Sequence, residues 1–179
     1  MKNILFFAFC AVVFIILIEA QEKYARRQRF NLDHIELPRY VHPIPGGRHN
    51  YRSPQLTLEQ LDSILAAGLI TTVIRLNGDG RDAAGVSVKK ERALCDAHSV
   101  GFILLNAHAP DAALTIHGLL LDGRTLIHCR HGFDRTGAMV GYHLRQLGYT
   151  RDQVIHYNGW NGYIERKGHK YVKYMAFIQ

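Results

Sequence analysis

Thr125-Leu126-Ile127-His128-Cys129-Arg130-His131-Gly132-Phe133-Asp134-Arg135-Thr136-Gly137 is the stretch that decides the fold of this chain. A short apolar strand, Thr125 to His128, runs into a cysteine, five residues separate that cysteine from Arg135, and Thr136-Gly137 is expected to open a helix. A loop wound ahead of a helix N-terminus points successive backbone N–H groups inward, where they and the helix dipole bind a phosphate dianion. Gly132 supplies backbone freedom that a side chain would obstruct. Arg135 is spaced to return to this cradle and clamp two phosphoryl oxygens with its planar fork, which a lysine does not reproduce. Cys129 sits at the bottom, where the same N–H groups favour its nucleophilic thiolate at neutral pH. Thr136 can hydrogen-bond the sulfur and help it leave in a second step. His128 reads as a residue that orders the loop by hydrogen bonds rather than as a base.

Working outward, the neighbouring elements alternate. Thr57-Leu58-Glu59-Gln60 is a capping box, Leu58, Leu61, Ile64 and Leu65 recur at helical spacing, and Gly68 closes that helix. Leu69 to Leu76 is rich in Ile, Val and Thr and reads as a buried strand ending in the turn Asn77-Gly78-Asp79-Gly80. Residues 87 to 99 are expected as a helix, Phe102 to Leu105 as a strand, Ala112 to Leu121 as a helix and Thr136 to Leu147 as another. Thr150 with Gln153 opens another capped helix, and Tyr157, Trp160, Tyr163, Tyr171 and Tyr174 are expected to pack the last helix onto the domain. Upstream, Pro38, Pro43, Pro45 and Gly46-Gly47 imply short strand pieces joined by turns. Strands alternating with helices predict an α/β fold: a mostly parallel central sheet flanked by helices, preceded by an N-terminal hydrophobic helix.

The loop resembles the active-site loop of the protein tyrosine phosphatase superfamily, His-Cys-x5-Arg-Ser/Thr with a glycine three residues after the cysteine. Every fixed position is matched. Asp134 immediately before Arg135 makes the loop similar to those of compact bacterial dual-specificity-type enzymes and of some phosphoinositide phosphatases. Tyr51-Arg52-Ser53-Pro54-Gln55-Leu56-Thr57 and Thr72-Val73-Ile74-Arg75-Leu76 are similar to a recurring stretch of the small bacterial enzymes. The likeness runs from about residue 35 to 160, strongest at the loop. It implies in-line attack by the Cys129 thiolate to give a phosphocysteine, which water hydrolyses, without metal or other cofactor. It also implies a phosphate cradle made of Arg130, His131, Gly132, Phe133, Asp134 and Arg135. The leaving oxygen needs a general acid, which family members usually supply as an aspartate after the preceding strand. In Asn106-Ala107-His108-Ala109-Pro110-Asp111 that residue is Asp111, although it lies only eighteen residues before Cys129, closer than is usual. Asp134 and then His108 follow as candidates. Helix capping by Asp111 and an ion pair of Asp134 are the structural alternatives.

The expected substrates are phosphorylated proteins, as phosphotyrosine or with dual specificity. A phosphoinositide phosphatase and a non-catalytic phosphate-binding module are the alternatives. Arg130 and His131 add positive charge at the rim, which suits phosphoinositides or simply strengthens phosphate binding. A rhodanese-like sulfurtransferase also uses a loop cysteine between strand and helix, but with a differently sized loop that lacks this placement of Arg135; assaying thiosulfate against p-nitrophenyl phosphate separates the two. The chain holds eleven histidines, but no second cysteine pair or His-Glu-x-x-His accompanies His128 and His131, so no metal site is read.

The 179 residues, 47% apolar and 21% charged, suit one globular catalytic domain, set at residues 35–179. Cys10, Cys95 and Cys129 are an odd number at unrelated spacings, which is no disulfide framework; Cys10 and Cys95 are expected as inert thiols. Ile4 to Ile18 is an unbroken apolar run of fifteen residues, between the length of a signal-peptide core and that of a spanning helix. Residues 1–20 are therefore a signal-anchor or a signal peptide cut near Ala20, and residues 21–34 a basic linker. Lys23, Arg26, Arg27 and Arg29 resist translocation, which favours a membrane anchor with the catalytic domain in the cytoplasm over export. The net charge of +7 is concentrated early, with seven Lys or Arg between Gln21 and Arg52. No aromatic-interleaved basic stripe or DNA-reading helix accompanies it, so nucleic acid is not a partner.

Overall fold

A computed structural model of the chain describes residues 39–46, 49–77, 85–160 and 176–178. The apolar run 4–18, the linker 21–34 and their assignment as anchor or signal lie outside the described residues, as do Tyr163, Tyr171 and Tyr174. Among the described residues no helix is long and apolar enough to cross a membrane.

The sheet has five strands: β1 (His42–Pro43), β2 (Tyr51–Ser53), β3 (Thr72–Arg75), β4 (Gly101–Leu104) and β5 (Thr125–His128). Their order is β1-β2-β5-β3-β4, with β1 antiparallel to β2 and every other pairing parallel. Pro43, which has no N–H to donate, sits in the edge strand where none is needed. The parallel strands are connected through α1 (Leu58–Ala66), α2 (Val88–Ala97) and α3 (Ala112–Asp122), with α4 (Asp134–Gln146) and α5 (Arg151–Tyr157) completing the chain order.

Burial on both faces explains why the central strands read as continuous apolar runs rather than as alternating ones. Ile74 and Ile127 join the core formed with α3, α4 and α5, while Val73 and Leu126, the adjacent residues along β3 and β5, are equally buried on the other face. Each fully buried side chain of this size contributes about 1.5–3 kcal/mol relative to exposure.

The expected capping boxes are both formed. Thr57 and Gln60 exchange bonds of 3.2 and 2.9 Å at the start of α1, and Thr150 and Gln153 exchange bonds of 3.2 and 2.7 Å at the start of α5. Several boundaries differ from expectation by one to three residues, two of them at the elements that frame the site. The ladder of β3 covers only Thr72–Arg75, and Leu69 and Ile70 are buried ahead of it. Helix α4 starts at Asp134, two residues earlier than the Thr136-Gly137 signal suggested, because Gly137 N already donates to Phe133 O at 2.9 Å. The Asp134 carboxylate in that first turn suits the positive end of the helix dipole.

In-register pairing aligns the functional end of the sheet. His128 lies opposite Ser53 on one side and Arg75 on the other, so three parallel strands end together at their carboxyl edge, the usual location of ligand sites in open α/β sheets. Trp160 braces the first turn of α4. Fully buried, it meets the Phe133 ring edge-on at 6.4 Å and packs so closely on Gly137 that a Cβ there would come within 2.7 Å of the indole.

Candidate active site

Strand β5 delivers Cys129 to the carboxyl edge, buried at 3% exposure, and the chain then bends through Arg130, His131, Gly132 and Phe133 into α4. Gly132 makes the bend possible. Its φ is +66°, and a Cβ would stand 2.5 Å from Pro54 N and 2.6 Å from the Ser53 carbonyl, so the loop lies directly against the backbone leaving β2. Gln55 N donates to Arg130 O at 3.3 Å and adds a second tie.

A cavity of about 240 Å³ opens at the loop, lined by Cys129, Arg130, His131, Asp134 and Arg135. Arg130 and His131 are exposed at its rim, whereas Gly132, Phe133, Asp134 and Arg135 are half-buried. Thr136, one residue further into the first turn of α4, is fully buried, and its Oγ1 has no hydrogen-bond partner among the described residues. Asp111 is placed apart from this group. It caps α3 by position without a side-chain cap bond, is exposed, and does not line the cavity; neither does the exposed His108. Phe133 packs on Trp160 and faces a second, neighbouring cavity rather than the one over Cys129.

Behind the loop lies a buried polar network. His128 Nε2 is 2.7 Å from Glu91 Oε1, and Arg75 Nη1 donates to Glu91 Oε2 at 2.5 Å; all three residues are at most 2% exposed. Gln55 Nε2 reaches the same carboxylate oxygen at 3.3 Å, Asn77 Nδ2 donates to Gln55 Oε1 at 3.0 Å, and Arg135 Nη1 stands 3.5 Å from Asn77 Oδ1, the outer limit of a hydrogen bond. The residues flanking the loop at both ends are thereby tied to one carboxylate. Burial by itself would raise the Glu91 pKa, but hydrogen bonds and charge from His128 and Arg75 outweigh it and hold the group below the ordinary glutamate value.

On the opposite flank Arg52 Nη2 donates to Gly132 O at 2.7 Å and Nη1 to Asn158 Oδ1, while Asn158 Nδ2 donates to Gly137 O at 3.0 Å. Cys95 shows the contrasting state of a thiol: burial first, then Glu91 and Asp96, pushes it up to about 12, so it stays protonated and inert. Among the described residues no three His, Cys, Asp or Glu are grouped to hold a metal.

Sequence reading missed Arg52, Gln55, Asn77, Glu91 and Asn158 as members of the site. One signal was available: Arg75 interrupts an otherwise apolar strand, and a charge in such a position needs a buried partner. Nothing local marked Glu91, which lies on a helix otherwise rich in charge.

A cysteine at the end of a central parallel strand, sharing a cavity with an arginine from the adjoining helix, is the arrangement of a phosphatase. The tyrosine phosphatase family matches residues 79–171, more than half of the chain, and the chain belongs to that family. No match was found among curated protein sequences. Solved structures share the fold. The core catalytic domain of the PP-IP phosphatase Siw14 from S. cerevisiae, in complex with citrate, is 12% identical over 69% of this chain and 76% of that one, with a TM-score of 0.57. A protein of Shewanella putrefaciens CN-32, described provisionally as a phosphatase, is 15% identical over 78% and 87% of the two chains, with a TM-score of 0.59. P. aeruginosa TpbA in complex with pTyr is 19% identical over 68% and 72%, with a TM-score of 0.50.

Proposed function

We propose that the protein hydrolyses phosphate monoesters through a phosphocysteine, with phosphotyrosine or other phosphorylated protein side chains as substrates. The observation that carries this reading is the joint lining of one cavity by Cys129, Asp134 and Arg135. The Cys129 thiolate attacks phosphorus in line, a P–S bond forms, and the P–O bond to the leaving group breaks with its electron pair moving to that oxygen. Arg135 clamps two equatorial oxygens, and the backbone N–H groups at the start of α4 neutralise the third. A carboxylic acid protonates the departing oxygen. Its position in the cavity favours Asp134 over Asp111 for this role. Water then attacks the phosphocysteine, the same carboxylate takes its proton, and the sulfur leaves as thiolate. The buried Thr136 hydroxyl, without a hydrogen-bond partner among the described residues, supports a role as hydrogen-bond donor to that sulfur.

The exposed Arg130 and His131 at the rim favour a second reading, a phosphoinositide phosphatase, because added cations suit a polyanionic substrate. Residues 35–179 form the proposed catalytic domain, and residues 4–18 its proposed membrane anchor; a fully soluble, N-terminally processed chain on cell fractionation would reject the anchor. The test of function is turnover of phosphotyrosine, phosphoserine and phosphothreonine peptides and of phosphoinositides by the full chain and by Cys129→Ser. The expected result is loss of at least about 10³-fold in kcat for the variant with substrate binding retained. A pure binding module would turn over none of these substrates with either chain.

A further inference from the structure

Arg52 carries a buried positive charge that no carboxylate balances among the described residues. It is 5% exposed, and its partners are neutral: the Gly132 carbonyl at 2.7 Å, the Asn158 side-chain oxygen, and the face of Tyr157 at 5.4 Å from the ring centroid. Arg75, one register position further along in β3, shows the usual solution, with Glu91 as its counter-charge. A buried cation deprived of an anion is strongly unfavourable, so the surroundings of Arg52 must supply one.

The groups facing it narrow the choice. The cavity it lines, about 550 Å³, is walled by Tyr40, His42, His131, Tyr157 and Asn158 among others, with no Asp or Glu among the described residues that line it. His42 and His131 add positive charge or none. Burial first, and only then Arg52 in opposition, leaves the Tyr157 phenol with a raised pKa, so it stays neutral at physiological pH. From the remaining direction, Arg52 pairs with Ile127 in the β2–β5 register, two residues before Cys129, and it grips the Cys129 loop at Gly132. Burial lowers the pKa of the guanidinium, while Tyr157 and Cys129 draw it back up.

We propose that Arg52 is a positioning residue whose charge serves as the internal counter-ion of the Cys129 thiolate, supplied by a strand outside the Cys129-to-Arg135 loop. This rests on the reading of Cys129 as nucleophile. Arg52 acts on the reaction through Cys129: its fork holds the Gly132 carbonyl, and its field stabilises the sulfur anion. Asn158, which accepts from Arg52, has to be neutral for this to work, since a carboxylate in its place would capture the charge.

The test is the rate of alkylation of Cys129 by iodoacetamide against pH, read by peptide mass spectrometry in the full chain, with Tm as a check on folding. Arg52→Met is expected to slow alkylation at pH 6.5 about tenfold while leaving the rate above pH 9 nearly unchanged, whereas Arg52→Lys keeps most of the neutral-pH rate. Asn158→Asp, nearly isosteric, is expected to slow it severalfold at pH 6.5 and serves where Arg52→Met does not fold. Wild-type alkylation in Asn158→Asp, or equal slowing in Arg52→Lys and Arg52→Met at all pH values, would overturn the proposal and leave Arg52 as a mechanical brace. Failure of the nucleophile reading is separate, since it appears as turnover retained by Cys129→Ser.

Discussion

Glu91 and His128 meet at 2.7 Å, carboxylate oxygen to Nε2, although one belongs to a helix and the other to the last position of the strand that leads into Cys129. The second carboxylate oxygen serves Arg75 and Gln55, so the rotamer of the residue before Cys129 is set by a charge 37 positions away in sequence. Removing one member of a buried ion pair strands the others, at a cost of about 3–5 kcal/mol. Glu91→Gln is therefore expected to lower Tm by about 6–20 degrees and kcat/KM by at least about tenfold. The pH dependence gives the sign. With a folded pKa held below its ordinary value, Glu91 contributes stability above the unfolded glutamate range, and that contribution is lost as pH falls through the lower folded value. Acid unfolding followed by circular dichroism should show this limb in the wild type and its absence in Glu91→Gln.

Gly132→Ala is expected to abolish most turnover. At φ +66° the added Cβ is strained, and it would strike Pro54 N and the Ser53 carbonyl at 2.5–2.6 Å, backbone atoms that do not swing aside. The loss is expected to exceed about 2 kcal/mol in stability. Gly148→Ala is the control, because its φ of +90° is also positive but nothing lies within 4 Å of the new Cβ. A loss of about 1 kcal/mol with activity intact is expected there. Chemical denaturation and initial rates on both variants separate collision from conformational strain.

The general acid is named by pH–rate profiles of Asp134→Asn and Asp111→Asn. Asp134 lines the cavity over Cys129 and Asp111 does not, so Asp134→Asn is expected to lose the basic limb of kcat/KM and about 10²-fold in rate. Asp111→Asn is expected to change the rate less than about threefold. The effect on Asp134→Asn should shrink for substrates with good leaving groups, such as p-nitrophenyl phosphate, which need little protonation.

His143 gives the fold a second pH dependence. Burial first, then the neighbouring His117 with its Nδ1 at 3.0 Å, pushes His143 down to about 4. The unfolded imidazole takes a proton near 6.5 and the folded one does not until about 4, so stability falls as pH drops through that interval. His143→Phe is expected to flatten this slope and to gain ~1–2 kcal/mol relative to wild type at pH 5, measured by urea denaturation.

The alternation of elements and the cysteine loop were legible because each rests on local rules. Capping boxes at Thr57 and Thr150, apolar strands and a glycine at the tight bend all act within a few residues. The early start of α4 was not legible, since it depends on how Phe133 is held against Trp160, a contact set by tertiary packing. That Asp111 does not line the cavity over Cys129 was not legible for the same kind of reason: proximity to a helix start is local, whereas entry to the cavity depends on where α3 lies over the sheet. Arg52, Gln55 and Arg75 belonged to stretches noticed for their resemblance, yet their purpose emerges only when strand register brings them beside His128 and the loop.

The most direct test of the central claim is rapid-quench trapping of the enzyme with ³²P-labelled phosphotyrosine peptide, followed by peptide mapping. The predicted result is acid-stable label on the peptide containing Cys129, formed at a rate no slower than turnover and absent in Cys129→Ser. Turnover without label at Cys129, or label on an aspartate or histidine instead, would contradict the account.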